Sequence, residues 1–322
     1  MKIAVLNGSP KGSTSVTMQY VNFIQKKFPQ HELKILNISQ RIKAIENDKE
    51  EFLKIIKEIK SSDGVLWAFP LYVFLVHSNY KRFIELVSEK GAGDAFKNKY
   101  AAVLTTSIHF HDHAAHNYMH AICDDLGMNY TGSFSADMED LLIKKERERL
   151  VLFAGAFFEH IETQMPAPIS FKPLVYNNFE YVPGSASNKI DIGNRNIVVL
   201  TDCTDTQTNL IRMIDRFKDS FKREIKIINL QDINIIGGCQ GCLHCAYDNT
   251  CIYQGKDGFV EFYNTQIKTA DILVFAGSIK DRYLSSRWKL FFDRSFFNTH
   301  IPTLSNKQIG FIISGPLSHI PN

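Results

Sequence analysis

"KIAVLNGSPKGSTS", residues 2–15, governs the reading of this chain. A short apolar run ends in Gly8 and Ser9, and a helical pattern runs from Ser15 to about Phe28. A strand passing through a glycine-containing turn into a helix opens a βαβ unit. Further strands read at "ELKILNIS" (32–39), "DGVLWAFP" (63–70), "YAAVLTTS" (100–107) and near 129–135, with helices around 78–89, 113–126 and 139–163. Strands alternating with helices of ten or more residues predict a doubly wound parallel α/β sheet.

The second half repeats this order. Its strands are "NIVVLTD" (196–202), "REIKIINL" (223–230), "ADILVFAGS" (270–278) and "KQIGFIISG" (307–315). Asp63 matches Asp271 and Lys99 matches Lys307, both 208 apart, whereas Ile3 and Ile197 are 194 apart. The extra residues therefore fall between strands one and three of the second unit. The expected fold is two tandem doubly wound parallel α/β sheets: a domain at 1–164, a linker at 165–194 and a domain at 195–322. The linker holds four of the chain's ten prolines. After its fourth strand the first unit continues from Ser107 to Met165, but the second has only "PLSHIPN" (316–322). The expectation is a second unit truncated after its fourth strand, in a chain that is a fragment of a longer protein.

Bulk properties narrow the function. The 322 residues, 44% hydrophobic, suffice for two buried cores. A net charge of +3 on 37 basic and 34 acidic residues gives no electrostatic case for nucleic acid. No apolar run approaches the length of a membrane span. Six cysteines, and an amino terminus that reads directly as strand and turn, predict a cytoplasmic protein with reduced thiols.

"NGSPKGSTS" (7–15) places hydroxyls and free N–H groups at a helix start, where an anion is favoured. It is neither G-x-G-x-x-G nor a Walker loop, so it suits a terminal monophosphate; an ordinary capped turn is the plain alternative. The matching loop of the second unit, "TDCTDTQTN" (201–209), has no glycine and gains Asp202 and Asp205, which disfavour a phosphate there.

Together with "FPLYVFLVHSNYKRFIEL" (69–86), the loop resembles the flavodoxin-like NADPH-dependent FMN reductase family, with its G-S-P-x-x-x-S/T phosphate loop and P-L-Y segment. The resemblance implies that Ser9, Lys11, Ser13, Thr14 and Ser15 hold the phosphate of FMN. Pro70, Leu71, Tyr72 and Val73 would flank its ring system, and "TTSIH" (105–109), with Thr106, Ser107 and His109, would close the other side. The family often has Pro shortly after the Tyr, where this chain has His77 and Ser78.

"GGCQGCLHCAYDNTCIYQGKDGF" (237–259) holds Cys239, Cys242, Cys245 and Cys251 at spacing C-x2-C-x2-C-x5-C. Four thiolates suit a tetrahedral zinc or a [4Fe–4S] cluster, and successive x2 intervals are the habit of iron–sulfur loops. The run resembles that of the iron–sulfur flavoproteins, which implies a cluster exchanging electrons with FMN. In that family, however, phosphate loop and cysteines usually share one unit.

The histidines at 113, 116 and 120 read as a solvated helix face, and Cys123 as core. The expected activity is an NAD(P)H-dependent flavin oxidoreductase passing electrons from NAD(P)H through FMN to the cluster or another small-molecule or protein acceptor. No catalytic side chain is assigned. The alternatives are a non-enzymatic electron carrier, or a quinone or nitro reductase with structural zinc. A homo-oligomer is expected by analogy, with no membrane or nucleic-acid partner.

Overall fold

The computed structural model describes residues 1–186, 188–205 and 208–321. They form two compact units, one built on Met1–Leu174 and the other on Val175–Ser318. Among the described residues, no helix is long and apolar enough to cross a membrane.

In the first unit, strands β1 (Lys2–Asn7), β2 (Glu32–Asn37), β3 (Gly64–Pro70), β4 (Tyr100–Thr106) and β5 (Asn129–Ala136) form one parallel sheet in the order 2-1-3-4-5. That is the doubly wound, flavodoxin-like order, with its crevice at the carboxyl ends of the central strands. β3 and β4 are buried along their whole length, as a sheet covered on both faces demands. Register is fixed by Ile3, which pairs with Leu33 on one side and Gly64 on the other.

Helices α1 (Val16–Lys27), α2 (Ile42–Asn47), α3 (Lys49–Lys60), α4 (Ser78–Glu89), α5 (Asp112–Asp125) and α6 (Lys144–Glu162) cover the faces. One face is sealed by Ile3, Val5, Met18, Ile24, Leu66, Leu104, Leu150 and Phe157, from β1, β3, β4, α1 and α6. On the other, the Trp67 ring stacks on Phe96 at 5.6 Å and meets Tyr80 edge-on at 5.8 Å. The sequence reading left residues 40–62 without an element. Asp48, in extended backbone, ends α2 and accepts a hydrogen bond from the Glu50 amide (2.8 Å), so it caps α3 and turns one stretch into two helices.

The second unit holds β6 (Ile197–Thr201), β7 (Lys226–Asn229), β8 (Ile272–Lys280), a two-residue strand β9 (Tyr283–Leu284) and β10 (Gln308–Ser314). β10, β8, β6 and β7 lie side by side and parallel, while β9 folds back antiparallel on β8. Its helices are α7 (Asn209–Lys218), the one-turn pieces α8 (Cys245–Asp248) and α9 (Phe259–Phe262), and α10 (Ser286–Ser295). β8 and β10 begin where the offset of 208 from β3 and β4 puts them. The repeat is therefore structural: two parallel-sheet α/β units in tandem. β10 is an edge strand with Phe311 exposed.

Within 165–194 the backbone is docked rather than loose. The amides of Ser170 and Phe171 donate to the Asp124 carboxylate on α5 (2.9 and 2.8 Å). Further on, the Tyr181 amide donates to Asn209 at the start of α7 (2.8 Å).

Candidate functional site

The turn after β1 is built from its own hydrogen bonds. The Asn7 carboxamide oxygen accepts from the Ser9 amide (3.0 Å), and the Ser9 hydroxyl accepts from the Lys11 amide (3.2 Å). Gly8 donates to the Ala68 carbonyl (2.7 Å), drawing the turn so close to β3 that a Cβ at position 8 would lie 2.6 Å from that of Phe69. Gly12 sits at φ +61°, the left-handed region that suits glycine. The Ser15 hydroxyl caps α1 by accepting from the Met18 amide (3.3 Å).

Among the five residues expected at the phosphate, Ser9 and Ser15 are buried and Lys11, Ser13 and Thr14 are exposed. Ser9 and Ser15 accept within the loop, yet each keeps an O–H to donate. Thr14 has given its hydrogen to the Lys11 carbonyl (2.9 Å). The set is hydroxyls, helix-start amides and a lysine, with no carboxylate between residues 7 and 15. That donor set fits a phosphate.

Two further loops share this sheet edge. The Leu71 amide donates to the Thr106 carbonyl (2.9 Å), tying the end of β3 to the end of β4. Pro70 and Leu71 are buried, whereas Tyr72 and Val73 are partly open. Thr106 bonds Thr17 of α1 through their hydroxyls (2.6 Å), and Thr105 bonds His116 of α5 (2.9 Å). The side chain of Thr106 is thus committed inward, Ser107 is buried, and His109 is left half-exposed at the edge.

His109 belongs to a network that the sequence did not announce. Its Nδ1 lies 3.1 Å from the Asp112 carboxylate and 3.1 Å from the Ser135 hydroxyl. Asp112 also accepts from Ser107 (2.8 Å) and from Ser135. Burial alone would push the Asp112 carboxyl up, but the hydrogen bonds from Ser135, Ser107 and His109 bring it below its ordinary value. The spacing His109-x-x-Asp112 across a helix start was the available signal.

The solvated histidine face does not form. His116 is drawn to Thr105, with burial lowering its pKa, and His120 stacks on Tyr130 at 3.9 Å. Of these three, only His113 is exposed.

The turn after β6 is filled differently. Asp202, at the place Gly8 holds in the first unit, accepts a hydrogen bond from the Ser285 hydroxyl. Burial pushes its carboxyl up despite that bond. The Cys203 thiol lies 3.2 Å from the Thr208 hydroxyl. Thr206 and Gln207 lie outside the described residues.

Among the described residues, no three His, Cys, Asp or Glu side chains converge as a group able to hold a metal ion. Cys245 opens α8 and points its thiol toward the Phe296 carbonyl (3.9 Å), and Cys251 packs with it against the core of the second unit. Cys242 is exposed. Burial pushes the Cys239 thiol up to about 11.

With the geometry in place, comparison with known proteins places the amino-terminal unit. Residues 1–139 match the NADPH-dependent FMN reductase family. That match spans β1 to β5 of the first unit and covers 139 of the chain's 322 residues. No curated protein matches the chain. Solved structures similar to it include an oxidoreductase from Corynebacterium diphtheriae (15% identity, TM-score 0.43, 51% of this chain and 98% of the other). Others are an NADH:FMN oxidoreductase in its apo form (14%, 0.42, 52% and 91%) and the flavoenzyme NAD(P)H:(acceptor) oxidoreductase of Paracoccus denitrificans (18%, 0.37, 49% and 98%).

Proposed function

We propose that the amino-terminal unit binds one FMN at the carboxyl edge of its sheet and passes reducing equivalents from NAD(P)H to an electron acceptor. The observation that carries this reading is the loop 7–15: donors gathered at the start of α1, no carboxylate among them, and a family match that spans it. Ser9, Lys11, Ser13, Thr14 and Ser15 hold the phosphate. Pro70, Leu71, Tyr72 and Val73 flank one side of the ring system, and Thr106, Ser107 and His109 flank the other. Bound FMN supplies the hydride chemistry, while the chain binds, orients and shields it. The domain reading, 1–164 and 195–322 joined by 165–194, belongs to the same proposal. So does a homo-oligomer over this edge, where Phe74, Ile108 and Phe110 are exposed.

Anaerobic protein titrated with FMN is expected to saturate at one flavin per chain, because Asp202 and Ser285 fill the corresponding corner of the second unit. NADPH is then expected to bleach the bound flavin in stopped flow. Two flavins per chain would overturn the assignment of sites, and no binding would overturn the function. Binding without bleaching by NADPH or NADH would favour an electron carrier fed by a protein partner.

A [4Fe–4S] cluster on the cysteine loop is a second reading of the acceptor, favoured by spacing alone. It requires the loop to close from the arrangement described above. Bound iron with acid-labile sulfide is its sign, and bound zinc without sulfide would mark a structural site instead.

A further inference from the structure

We infer that His109 is the proton donor to an acceptor that must be protonated as it is reduced, a quinone or similar conjugated carbonyl. The inference rests on the flavin reading above and deepens it. Three observations carry it.

The imidazole is oriented. Its Nδ1 lies 3.1 Å from the Asp112 carboxylate, and Asp112 is itself held by Ser107 and Ser135. Nδ1–H donates to the carboxylate, so the ring turns Nε2 away from it. The ring is placed, too. The His109 backbone is left-handed (φ +57°), a costly conformation for a residue with a side chain, and it is fastened by its amide donating to the Ser107 hydroxyl (2.9 Å). It stands at the carboxyl end of β4, on the edge shared with the phosphate loop. Finally, the neighbourhood suits a flat apolar molecule. The exposed rings of Phe74 and Phe110 lie 6.1 Å apart, and Phe74 meets His111 edge-on at 5.2 Å.

The balance is simple. Bound FMN would supply the quinone with a hydride drawn from NAD(P)H, which leaves one quinone oxygen negatively charged. His109 Nε2–H gives that oxygen its proton. The neutral imidazole, half-exposed, takes a proton back from solvent. Hydride and proton together convert quinone to hydroquinone. The titratable groups around His109 are Asp112 and, on the same loop and helix, His111, His113 and His116.

The test compares two acceptors on FMN-loaded protein reduced by NADPH. Ferricyanide takes one electron and no proton, whereas benzoquinone needs both. In His109→Gln the ratio of benzoquinone to ferricyanide rates is expected to fall about 10²- to 10⁴-fold, the usual worth of a positioned proton donor. In Asp112→Asn it should fall less. Histidine ¹⁵N NMR of the FMN-free protein gives an independent reading: the Nδ1–H tautomer of His109 in the parent, lost in Asp112→Asn. An unchanged rate ratio, or an Nε2–H tautomer in the parent, overturns the inference. Failure of the flavin reading looks different, because the parent protein would then show no NADPH-dependent bleaching at all.

Discussion

Gly12→Val is expected to weaken FMN binding by about 10- to 100-fold. At φ +61° a β-branched residue is badly placed, and a Cβ there would lie 2.3 Å from the Gln40 amide oxygen. Gln40 is exposed and can swing aside, so contact alone is cheap. The backbone cannot, and holding a β-branched residue in the left-handed region costs roughly 1–3 kcal/mol. The loop relieves that strain by flipping, which breaks the bonds from the Gly12 amide to the Ser9 carbonyl (3.1 Å) and from the Ser15 amide to the Gly12 carbonyl (3.3 Å). Those bonds set the direction of the donors at the proposed phosphate site, and about 1.4 kcal/mol is worth tenfold in affinity. Fluorescence quenching of FMN measures the loss. Gly12→Asn, which tolerates this conformation better, should retain most of the affinity. Equal affinities for the valine variant and the parent would remove the loop from the site.

Arg294→Met should be the most damaging single change to the second unit. The guanidinium grips the Asp257 carboxylate through two nitrogens (2.6 and 3.0 Å) and donates to the Gly237 carbonyl (2.9 Å). It also lies over the Tyr253 ring at 4.3 Å. Both side chains are buried, so removing the arginine strands a carboxylate, at a cost of about 3–5 kcal/mol. A domain's whole stability is only about 5–15 kcal/mol. Denaturant unfolding should show the second unit's transition at much lower concentration, and Arg294→Met with Asp257→Leu should recover part of the loss. Burial pushes the Asp257 carboxyl up, but the hydrogen bonds and charge of Arg294 more than offset this, leaving it below its ordinary value. The sign follows from linkage. The pair's contribution is fully present above the ordinary carboxylate pKa of about 4 and is lost as pH falls through the depressed value. The parent should therefore lose this increment only in acid, and the single variant should lack it at neutral pH. An unchanged midpoint would show that the pair contributes nothing.

The strands were legible because a parallel sheet buried on both faces writes itself as uninterrupted apolar runs, and α4 because its start follows the strand-three turn. Residues 42–60 were not, since one aspartate decides whether they make one helix or two. Partnerships between distant residues also escaped the sequence. Ser135 reaches Asp112 from another strand, and Ser285 reaches Asp202 across 83 positions. The cysteines show the limit most clearly. Spacing states what four thiols can bind, but the backbone decides where they point, and Cys245 and Cys251 pack against the core of the second unit. That the loop 7–15 and the segments after strands three and four share one sheet edge was legible, but the inward commitment of Thr106 was not.

Asp202 has a thermal consequence. A protein half that binds a dye gains stability with every increase in free dye, by mass action, whereas a half whose matching turn is closed by the Asp202–Ser285 hydrogen bond gains none. Heated in rising concentrations of FMN, the chain should melt in two steps that draw apart: the earlier half of the sequence climbs, and the later half stays where it began.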